Sequence, residues 1–270
     1  MVVCYQSFTG EVIYQRLEVL RWKSGRHRTN VEHGWQKQGS VVSPTLISRH
    51  LVLFTTDLLP LVNLKIFEGN MTTQNKHWNA IFSTKADPEL GWYEKDVSQT
   101  LKFLDQIPQN NLLTIFLPGA GTSVLVDKLL ARGHKLILND ISDEALNKLR
   151  NRIGTNSRLT WLHHDISKSL PDDMPQVDVW VDRAVLHFLL EEADIRGYFD
   201  NLQSATRHGG YVLLAEFSTT GAPKCAGLEL HRYSIEEMTR RMGAEFELVK
   251  HEDYTYINPF GDPRPYIYAL

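Results

Sequence analysis

Short apolar segments alternate with amphipathic segments through the second half of the chain. The apolar segments are typical of strands buried on both faces, and the amphipathic ones follow the 3.6-residue period of helices. The predicted strands are 113–117, 135–139, 159–163, 177–181, 211–217, 246–251 and 266–269. The predicted helices are 97–107, 122–132, 143–153, 191–206 and 234–242, with Gly154 and the 208–210 turn as helix terminators. This alternation predicts an α/β fold with a seven-stranded, mostly parallel sheet and helices on both faces.

The first strand–helix–strand unit carries the features of a ligand site. The strand at 113–117 leads into a turn with Gly119 and Gly121, where the missing side chains allow the backbone to approach a ligand closely. The next strand brings Asp140 to the carboxyl edge of the sheet, where open α/β folds bind ligands. A carboxylate at that place can accept both hydroxyls of a ribose. Alternatively, Asp140 only opens the turn before Ser142, the predicted cap of the following helix.

The residue three places after Gly121 distinguishes a dinucleotide site from a site for a ligand without phosphates. A dinucleotide fold has a third small residue three places after Gly121, which leaves room for the pyrophosphate. That place holds Val124, which is branched and bulky. A ligand without phosphates avoids the requirement, and S-adenosylmethionine is the common ligand of this kind.

Several further segments resemble those of one known family in the same order. They are HWNAIFSTK, LPGAGTS, LILND, LTWLHHD, DVWVDRAVLHFL, HGGYVLLAEF and CAGLELHRY, all between residues 71 and 270. Together they are similar to class I S-adenosylmethionine-dependent methyltransferases, and DRAVLHFL and CAGLELHRY resemble a bacterial subgroup of small methyltransferases. The resemblance implies a Rossmann-like sheet that closes with a C-terminal antiparallel strand, and S-adenosylmethionine as the cofactor.

The resemblance also implies which residues bind the cofactor. Asp165 would accept the adenine amino group and Ile166 would pack on the adenine ring, although Asp165 is also a natural cap for the turn after its strand. Trp78 and Trp92 would form a lid whose aromatic faces attract a sulfonium, or else a plain hydrophobic cap. The complete predicted cofactor set is Gly119, Ala120, Gly121, Asp140, Ile141, Asp165, Ile166, Trp78 and Trp92.

One position departs from the family pattern. The family usually has an acidic residue two places before the first glycine of the turn, and this chain has Leu117 there. Contact to the methionine amino group must then come from backbone carbonyls or from Asp182. A non-catalytic module that binds the cofactor is therefore an alternative function.

The predicted catalytic residues follow the fourth strand of the sheet. Asp182 would hold the methionine tail or the substrate, Arg183 would pair with an acidic group, and His187 is a candidate base because its ordinary pKa is near 6.5. The alternatives are a structural Asp–Arg bridge and an inert core histidine. His163 and His164 point to opposite faces of a strand, so no metal site is expected there.

Composition and charge limit the partners and the compartment. Residues 1–70 carry a net charge of +3 and residues 71–270 carry −6, so the catalytic part has no general attraction for nucleic acid. The longest apolar stretch, 50–67, is interrupted by Asp57 and Pro60, which predicts no membrane span. The two cysteines provide no disulfide framework, which favours a reducing cytoplasm.

The first 70 residues lie outside the family resemblance. They show no sustained hydrophobic periodicity. The sequence therefore predicts an N-terminal extension of residues 1–70, of uncertain order, followed by a catalytic domain of residues 71–270. In this hypothesis Met71 is the native start. The competing interpretation is a small accessory helical layer, since 12–22 can be drawn as one amphipathic helix.

The predicted function is transfer of a methyl group from S-adenosylmethionine to a small molecule, with a protein side chain as the alternative acceptor. Such a transfer is an in-line displacement, for which correct placement of the reactants supplies about 7 to 11 kcal/mol of the barrier. An NAD(P)-dependent oxidoreductase with the same kind of sheet is the alternative enzyme.

Overall fold

The computed structural model describes residues 2–6, 12–16, 73–108 and 111–270. The chain divides into two compact units, Met1–Glu68 and Gly69–Leu270. In the first unit, β1 (Val2–Gln6) pairs antiparallel with β2 (Val12–Arg16). Since residues 12–16 form a strand, the single helix drawn over 12–22 is wrong. Met71 lies outside the described residues, so its role as the native start remains a hypothesis, as does the domain boundary.

The second unit contains six α-helices within its described residues. They are α1 Thr73–Thr84, α2 Ser98–Leu104, α3 Leu125–Ala131, α4 Asp143–Ile153, α5 Glu192–Ala205 and α6 Ile235–Met242. Its strands are β3 Thr114–Leu117, β4 Lys135–Asp140, β5 Leu159–His163, β6 Val177–Arg183, β7 Thr206–Phe217, β8 Lys224–Cys225, β9 Leu228–Glu229, β10 His251–Ile257 and β11 Pro263–Ala269. Two short 3-10 helices cover Asp87–Glu89 and Leu186–Phe188.

Seven of these strands form one sheet in the order β10-β11-β7-β6-β3-β4-β5. The five strands from β7 to β5 are parallel to one another, whereas β11 pairs antiparallel with both β7 and β10. The predicted Rossmann-like fold with a C-terminal antiparallel strand is confirmed. This topology brings the carboxyl ends of β3, β4, β5 and β6 to one edge, where the glycine turn and Asp140 lie.

The central strands are mostly apolar because helices cover both faces of the sheet. Successive side chains of a strand point to opposite faces. Leu117 and Val181 accordingly belong to the core cluster on one side, and Phe116 and Trp180 to the cluster on the other. Phe116 and Trp180 stack at 4.3 Å between ring centroids. Burial on both faces explains why the sequence shows unbroken apolar runs here.

Three predicted boundaries are wrong. The helix predicted over 122–132 is α3, which begins only at Leu125, after Val124 as its N-cap, and has no side-chain cap. β7 begins at Thr206, so the 208–210 segment lies inside a strand and does not end a helix. The penultimate strand, predicted at 246–251, is His251–Ile257. This edge strand exposes alternate residues, so it lacks the apolar run that marks a buried strand.

The close packing of α5 on the segment after β5 gives a test of the fold. A side-chain carbon at Gly197 would overlap the backbone carbonyl oxygen of Ser167. Alanine normally stabilises a helix relative to glycine. Here we expect Gly197→Ala to lower the free energy of unfolding by about 1–3 kcal/mol, because α5 must move away from the sheet.

Chemical denaturation of both proteins measures this difference. Ser204→Ala, at an exposed position of the same helix, is the matched control and should change stability little. A Gly197→Ala protein as stable as the original would contradict the packing described.

Candidate functional site

The glycine turn after β3 forms one wall of a cleft at the carboxyl edge of the sheet. Gly119 and Gly121 both have positive φ, 51° and 52°, which residues with side chains rarely adopt. A side-chain carbon at Gly119 would also overlap the Val185 side chain. The N–H of Ala120 donates to the Asn139 carbonyl at 2.8 Å, which ties the turn to β4.

Asp140 ends β4 and connects the turn to the next helix. One carboxylate oxygen accepts a hydrogen bond from the Gly121 N–H at 2.8 Å, and the other accepts one from the Ser142 N–H at 2.8 Å. Burial raises the pKa of Asp140 to about 6, against the opposing effect of these two bonds. Asp140 therefore does open the turn before Ser142, and it also lines the cleft. The two interpretations of this residue are compatible.

The segment after β5 supplies the opposite wall. Asp165 accepts hydrogen bonds from the N–H and the hydroxyl of Ser167, at 3.0 and 2.8 Å on the same oxygen, as a turn cap does. Ile166 follows it, is largely buried and faces the cleft. Asn139 joins the two walls, since its amide donates to the carbonyls of Leu162 and His164.

Aromatic side chains form a third wall. Trp78 on α1 makes edge contacts with Trp92 and Phe188, with ring centroids 5.5 and 4.8 Å apart. Phe82 lies 6.1 Å from Trp92. The predicted lid is thus an aromatic cluster built from three separate parts of the chain.

The cleft is the space enclosed by these three walls. It encloses about 710 Å³ of empty space, which includes its open mouth. Of the nine residues predicted to contact the cofactor, the cleft is lined by eight, namely Gly119, Gly121, Asp140, Ile141, Asp165, Ile166, Trp78 and Trp92. Ala120 is buried within the turn and does not line the cleft. Phe82, Asn139, Val185 and Phe188 also line the cleft and were not predicted.

Arg183, at the end of β6, is the predicted catalytic residue that does line the cleft. Its Nε lies 2.8 Å from a carboxylate oxygen of Glu94, and its Nη1 donates to the Trp92 carbonyl at 3.0 Å. Burial raises the pKa of Glu94, and the Arg183 guanidinium opposes that rise. The sequence analysis missed Glu94, because it precedes the sheet in an irregular segment without a motif.

Asp182 and His187, by contrast, are fully buried and do not line the cleft. Asp182 accepts hydrogen bonds from the Tyr198 hydroxyl at 2.6 Å and the Leu186 N–H at 3.2 Å. The Nδ1 of His187 lies 2.5 Å from Glu216, whose carboxylate also accepts the His187 N–H. These side chains form a network behind the cleft wall.

The protonation of this network does not suit a base in contact with a substrate. Burial lowers the pKa of His187 to about 3, so the ring is neutral at physiological pH and a poor proton acceptor. Burial and the neighbouring Glu216 carboxylate raise the pKa of Asp182 well above its ordinary value, and burial raises that of Glu216 to about 8. The structure therefore places His187 as a core histidine, which was one of the alternatives.

The described residues contain neither a cluster of metal-ligating side chains nor a helix that could span a membrane. Within residues 73–108 and 111–270, no three His, Cys, Asp or Glu side chains come together as a metal site would require. The rings of His163 and His164 bond to different backbone carbonyls, those of Ile141 and Lys168. None of the helices in the described part of the chain has the length and apolar character of a membrane span.

Comparison with known proteins identifies the domain that holds this cleft. Residues 118–212, which include the glycine turn, Asp140, Asp165 and Arg183, match the family model described as a methyltransferase domain. The chain therefore contains a methyltransferase domain. The sequence resemblance is therefore confirmed at the level of the family, although the subgroup suggested by DRAVLHFL and CAGLELHRY remains a prediction. No curated protein matches the chain significantly.

Solved structures share the fold of this methyltransferase domain. A methyltransferase from Anabaena variabilis has a TM-score of 0.57 at 15% identity, over 73% of this chain and 91% of that chain. A structure from work on the conversion of a disulfide bond into a thioacetal group in echinomycin biosynthesis has a TM-score of 0.58 at 12% identity, over 72% and 91%. The 1,6-didemethyltoxoflavin N1-methyltransferase of Burkholderia thailandensis has a TM-score of 0.50 at 16% identity, over 73% and 82%.

The raised pKa of Asp140 gives a test of its role in the methyltransferase. If ribose hydroxyls donate to the ionised carboxylate, the bound form is the charged one, and protonation competes with binding. Because the pKa in the free protein is about 6, affinity for S-adenosylhomocysteine should be constant above about pH 7 and fall about tenfold per pH unit below about pH 6. Isothermal titration calorimetry between pH 5 and 8 measures this.

Asp140→Asn is the control for that titration. It keeps the size of the side chain but has no carboxylate, so its affinity should be lower and independent of pH in this range. The same slope in the variant would assign the pH dependence to another group.

Proposed function

We propose that this methyltransferase moves a methyl group from S-adenosylmethionine to a small-molecule acceptor by in-line displacement. The observation that carries the proposal is the position of Asp140, which faces the cleft while its carboxylate occupies the Gly121 N–H. A carboxylate at this place accepts ribose hydroxyls. It also takes the backbone donor that a pyrophosphate would use in a dinucleotide-binding turn.

The charge of the cleft supports a sulfonium cofactor over a nicotinamide dinucleotide. The carboxylates of Asp140 and Asp165 both line it, and Arg183 is its one Arg or Lys among the described lining residues. A phosphate near two carboxylates is repelled, whereas a sulfonium is attracted to them and to the aromatic faces of Trp78 and Trp92. We therefore disfavour the oxidoreductase alternative.

Different side chains of the cleft bind and orient different parts of the cofactor. Asp140 accepts the ribose hydroxyls, Ile166 packs on the adenine, and Asp165 offers its carboxylate to the adenine amino group. Trp78 and Trp92 exclude water from the reacting atoms. When bound, S-adenosylmethionine supplies an electrophilic methyl group on its sulfonium. Placement of the acceptor in line with that methyl is then the main catalytic contribution.

A small-molecule acceptor is supported by the charge of the chain and by a protein of the same fold. The −6 charge of residues 71–270 does not favour a nucleic acid. The didemethyltoxoflavin N-methyltransferase shows that a protein with this fold acts on a small heterocycle. We place the reaction in the cytoplasm because two cysteines make no disulfide framework.

We assign no general base among the predicted catalytic residues. His187 and Asp182 lie behind the cleft wall, and we propose that they position the β6 end instead of exchanging protons with the substrate. Arg183 reaches the cleft and is always charged, so it binds anionic groups and does not accept protons. Transfer to an unprotonated acceptor needs no base.

Calorimetry with S-adenosylmethionine, S-adenosylhomocysteine and NAD tests the cofactor. We expect binding of the first two and none of NAD. Gly121→Arg is the control, because a side chain at this positive-φ residue disturbs the turn beside Phe82 and enters the cleft. Binding of NAD in place of the adenosyl compounds would overturn the proposal.

A methyl-acceptor screen tests the reaction itself. Thiols, amines, carboxylates and metalloid oxyanions are each offered with S-adenosylmethionine, and release of S-adenosylhomocysteine is measured. We expect release with at least one class of small acceptor by the original protein and none by Gly121→Arg. A protein that binds S-adenosylmethionine tightly but releases nothing with any acceptor or cell extract would be a binding module.

A further inference from the structure

We propose that Glu94 and Arg183 together bind the two charged ends of the methionine part of the cofactor. Glu94 accepts hydrogen bonds from the ammonium group, and Arg183 donates to the carboxylate. This inference rests on the proposed function and deepens it, because it names the groups that take over from the acidic residue absent at Leu117.

The pair lies beside the cleft at the glycine turn. A second, smaller recess is lined by Glu94 and Leu117 together with the turn itself. The recess and the cleft share four lining residues, Trp92, Gly119, Gly121 and Arg183. A molecule whose adenosyl part occupies the cleft between Asp140 and Asp165 can therefore extend past the turn to reach Glu94.

The methionine tail needs one negative and one positive partner in this buried place. Its ammonium and carboxylate groups both lose water on binding, and a buried charge is costly unless it is paired. Leu117 is only 3% exposed and has no polar atom to offer. Asp182, the alternative considered from the sequence, is fully buried behind the cleft wall and already bonded to Tyr198.

The other acidic residues of the cleft, Asp140 and Asp165, are assigned to the adenosyl part of the ligand. Both carboxylate oxygens of Asp140 hold backbone N–H groups, and Asp165 caps the turn at Ser167. Glu94 is the third carboxylate along the cleft and recess, with a side chain only 5% exposed. Among the described residues that line either space, Arg183 is the one Arg or Lys.

Arg183 is held in place before any ligand arrives. Its Nε faces Glu94, its Nη1 bonds to the Trp92 carbonyl, and its guanidinium carbon lies 5.0 and 5.1 Å from the rings of Tyr256 and Tyr266. The Tyr268 hydroxyl lies against this guanidinium, but the buried Nη2 forms no hydrogen bond of normal geometry among the described residues. A ligand carboxylate would give this nitrogen a charged, well-aligned acceptor.

Charge balance favours a zwitterion over a single ion. Glu94 and Arg183 are together neutral, so an added cation or anion would leave one buried charge in excess. An amino-acid tail adds one charge of each sign, and each finds its opposite. A pair that serves only to join the Trp92–Glu94 segment to β6 would need no ligand, and the experiment must separate that structural role from recognition.

Three ligands that share the adenosyl part distinguish recognition of the tail from a purely structural role of the pair. S-adenosylhomocysteine has the whole tail, its decarboxylated analogue S-adenosyl-3-thiopropylamine retains the amine alone, and 5′-methylthioadenosine has neither charged group. Binding of each by isothermal titration calorimetry compares the original protein with Glu94→Gln and Arg183→Lys. Thermal unfolding of each variant reports whether it is folded.

We expect Glu94→Gln to lower the affinity for S-adenosylhomocysteine about 10- to 100-fold and that for 5′-methylthioadenosine less than about threefold. The original protein should prefer S-adenosylhomocysteine to the decarboxylated analogue, and Arg183→Lys should reduce that preference because lysine lacks the planar fork for a carboxylate. The preference of the original protein for S-adenosylhomocysteine over the decarboxylated analogue is measured without any variant, so it stays informative if a substitution prevents folding.

Asp140→Asn is the matched control, because both S-adenosylhomocysteine and 5′-methylthioadenosine contain the ribose. It should weaken both ligands equally. If Glu94→Gln also weakens both equally, or neither, and the original protein does not discriminate against the decarboxylated analogue, the inference is wrong while the proposed function stands. If the original protein binds none of the three ligands, the proposed function itself fails.

Discussion

The hydrogen bond from the Gly121 N–H to the Asp140 carboxylate is the interaction on which the cleft depends. It joins the turn after β3 to the end of β4, and the second oxygen of the same carboxylate fixes the start of the next turn through the Ser142 N–H. Ser142 in turn caps α4, because its hydroxyl accepts the Ala145 N–H at 3.1 Å. One buried carboxylate thus sets the relative positions of two strands, a turn and a helix. The structural role of Asp140 and its proposed role in ligand binding do not compete, since each carboxylate oxygen accepts more than one hydrogen bond.

A similar principle governs the end of β6, where the buried carboxyl groups of Asp182 and Glu216 fix the backbone. Ala184 has a φ of 67°, a strained value for a residue with a side chain. The backbone after it is held by Asp182, which accepts the Leu186 N–H, and by Glu216, which accepts the His187 N–H. This arrangement directs Arg183 and Val185 towards the cleft while Asp182 and His187 turn away from it. Residues adjacent in sequence therefore have opposite environments, and a motif alone does not show which of them meets a ligand.

The sequence predicted the parts of the site that are local and missed those that depend on distant contacts. The strand–turn–strand unit from Leu113 to Asp140 has a complete local signature, because burial on both faces, positive φ at glycine and the strand end all act over a few residues. The penultimate strand was misplaced because an edge strand has no such burial signature. Glu94 was missed for a different reason. Glu94 contacts Arg183, which lies 89 positions later in the sequence, and only folding brings the two side chains together.

The distribution of charge explains why the cleft suits a cationic cofactor with an amino-acid tail. Dinucleotide sites present bare backbone N–H groups to phosphates, but here Asp140 already uses the N–H of Gly121 and adds a negative charge. The aromatic wall of Trp78 and Trp92 contributes no charge and excludes water, which strengthens the remaining electrostatic interactions. Beyond the turn, the neutral Glu94–Arg183 pair accepts a zwitterion without creating an unpaired buried charge. The loss of an acidic residue at Leu117 is therefore compatible with binding, because the required negative charge comes from another segment at the same turn.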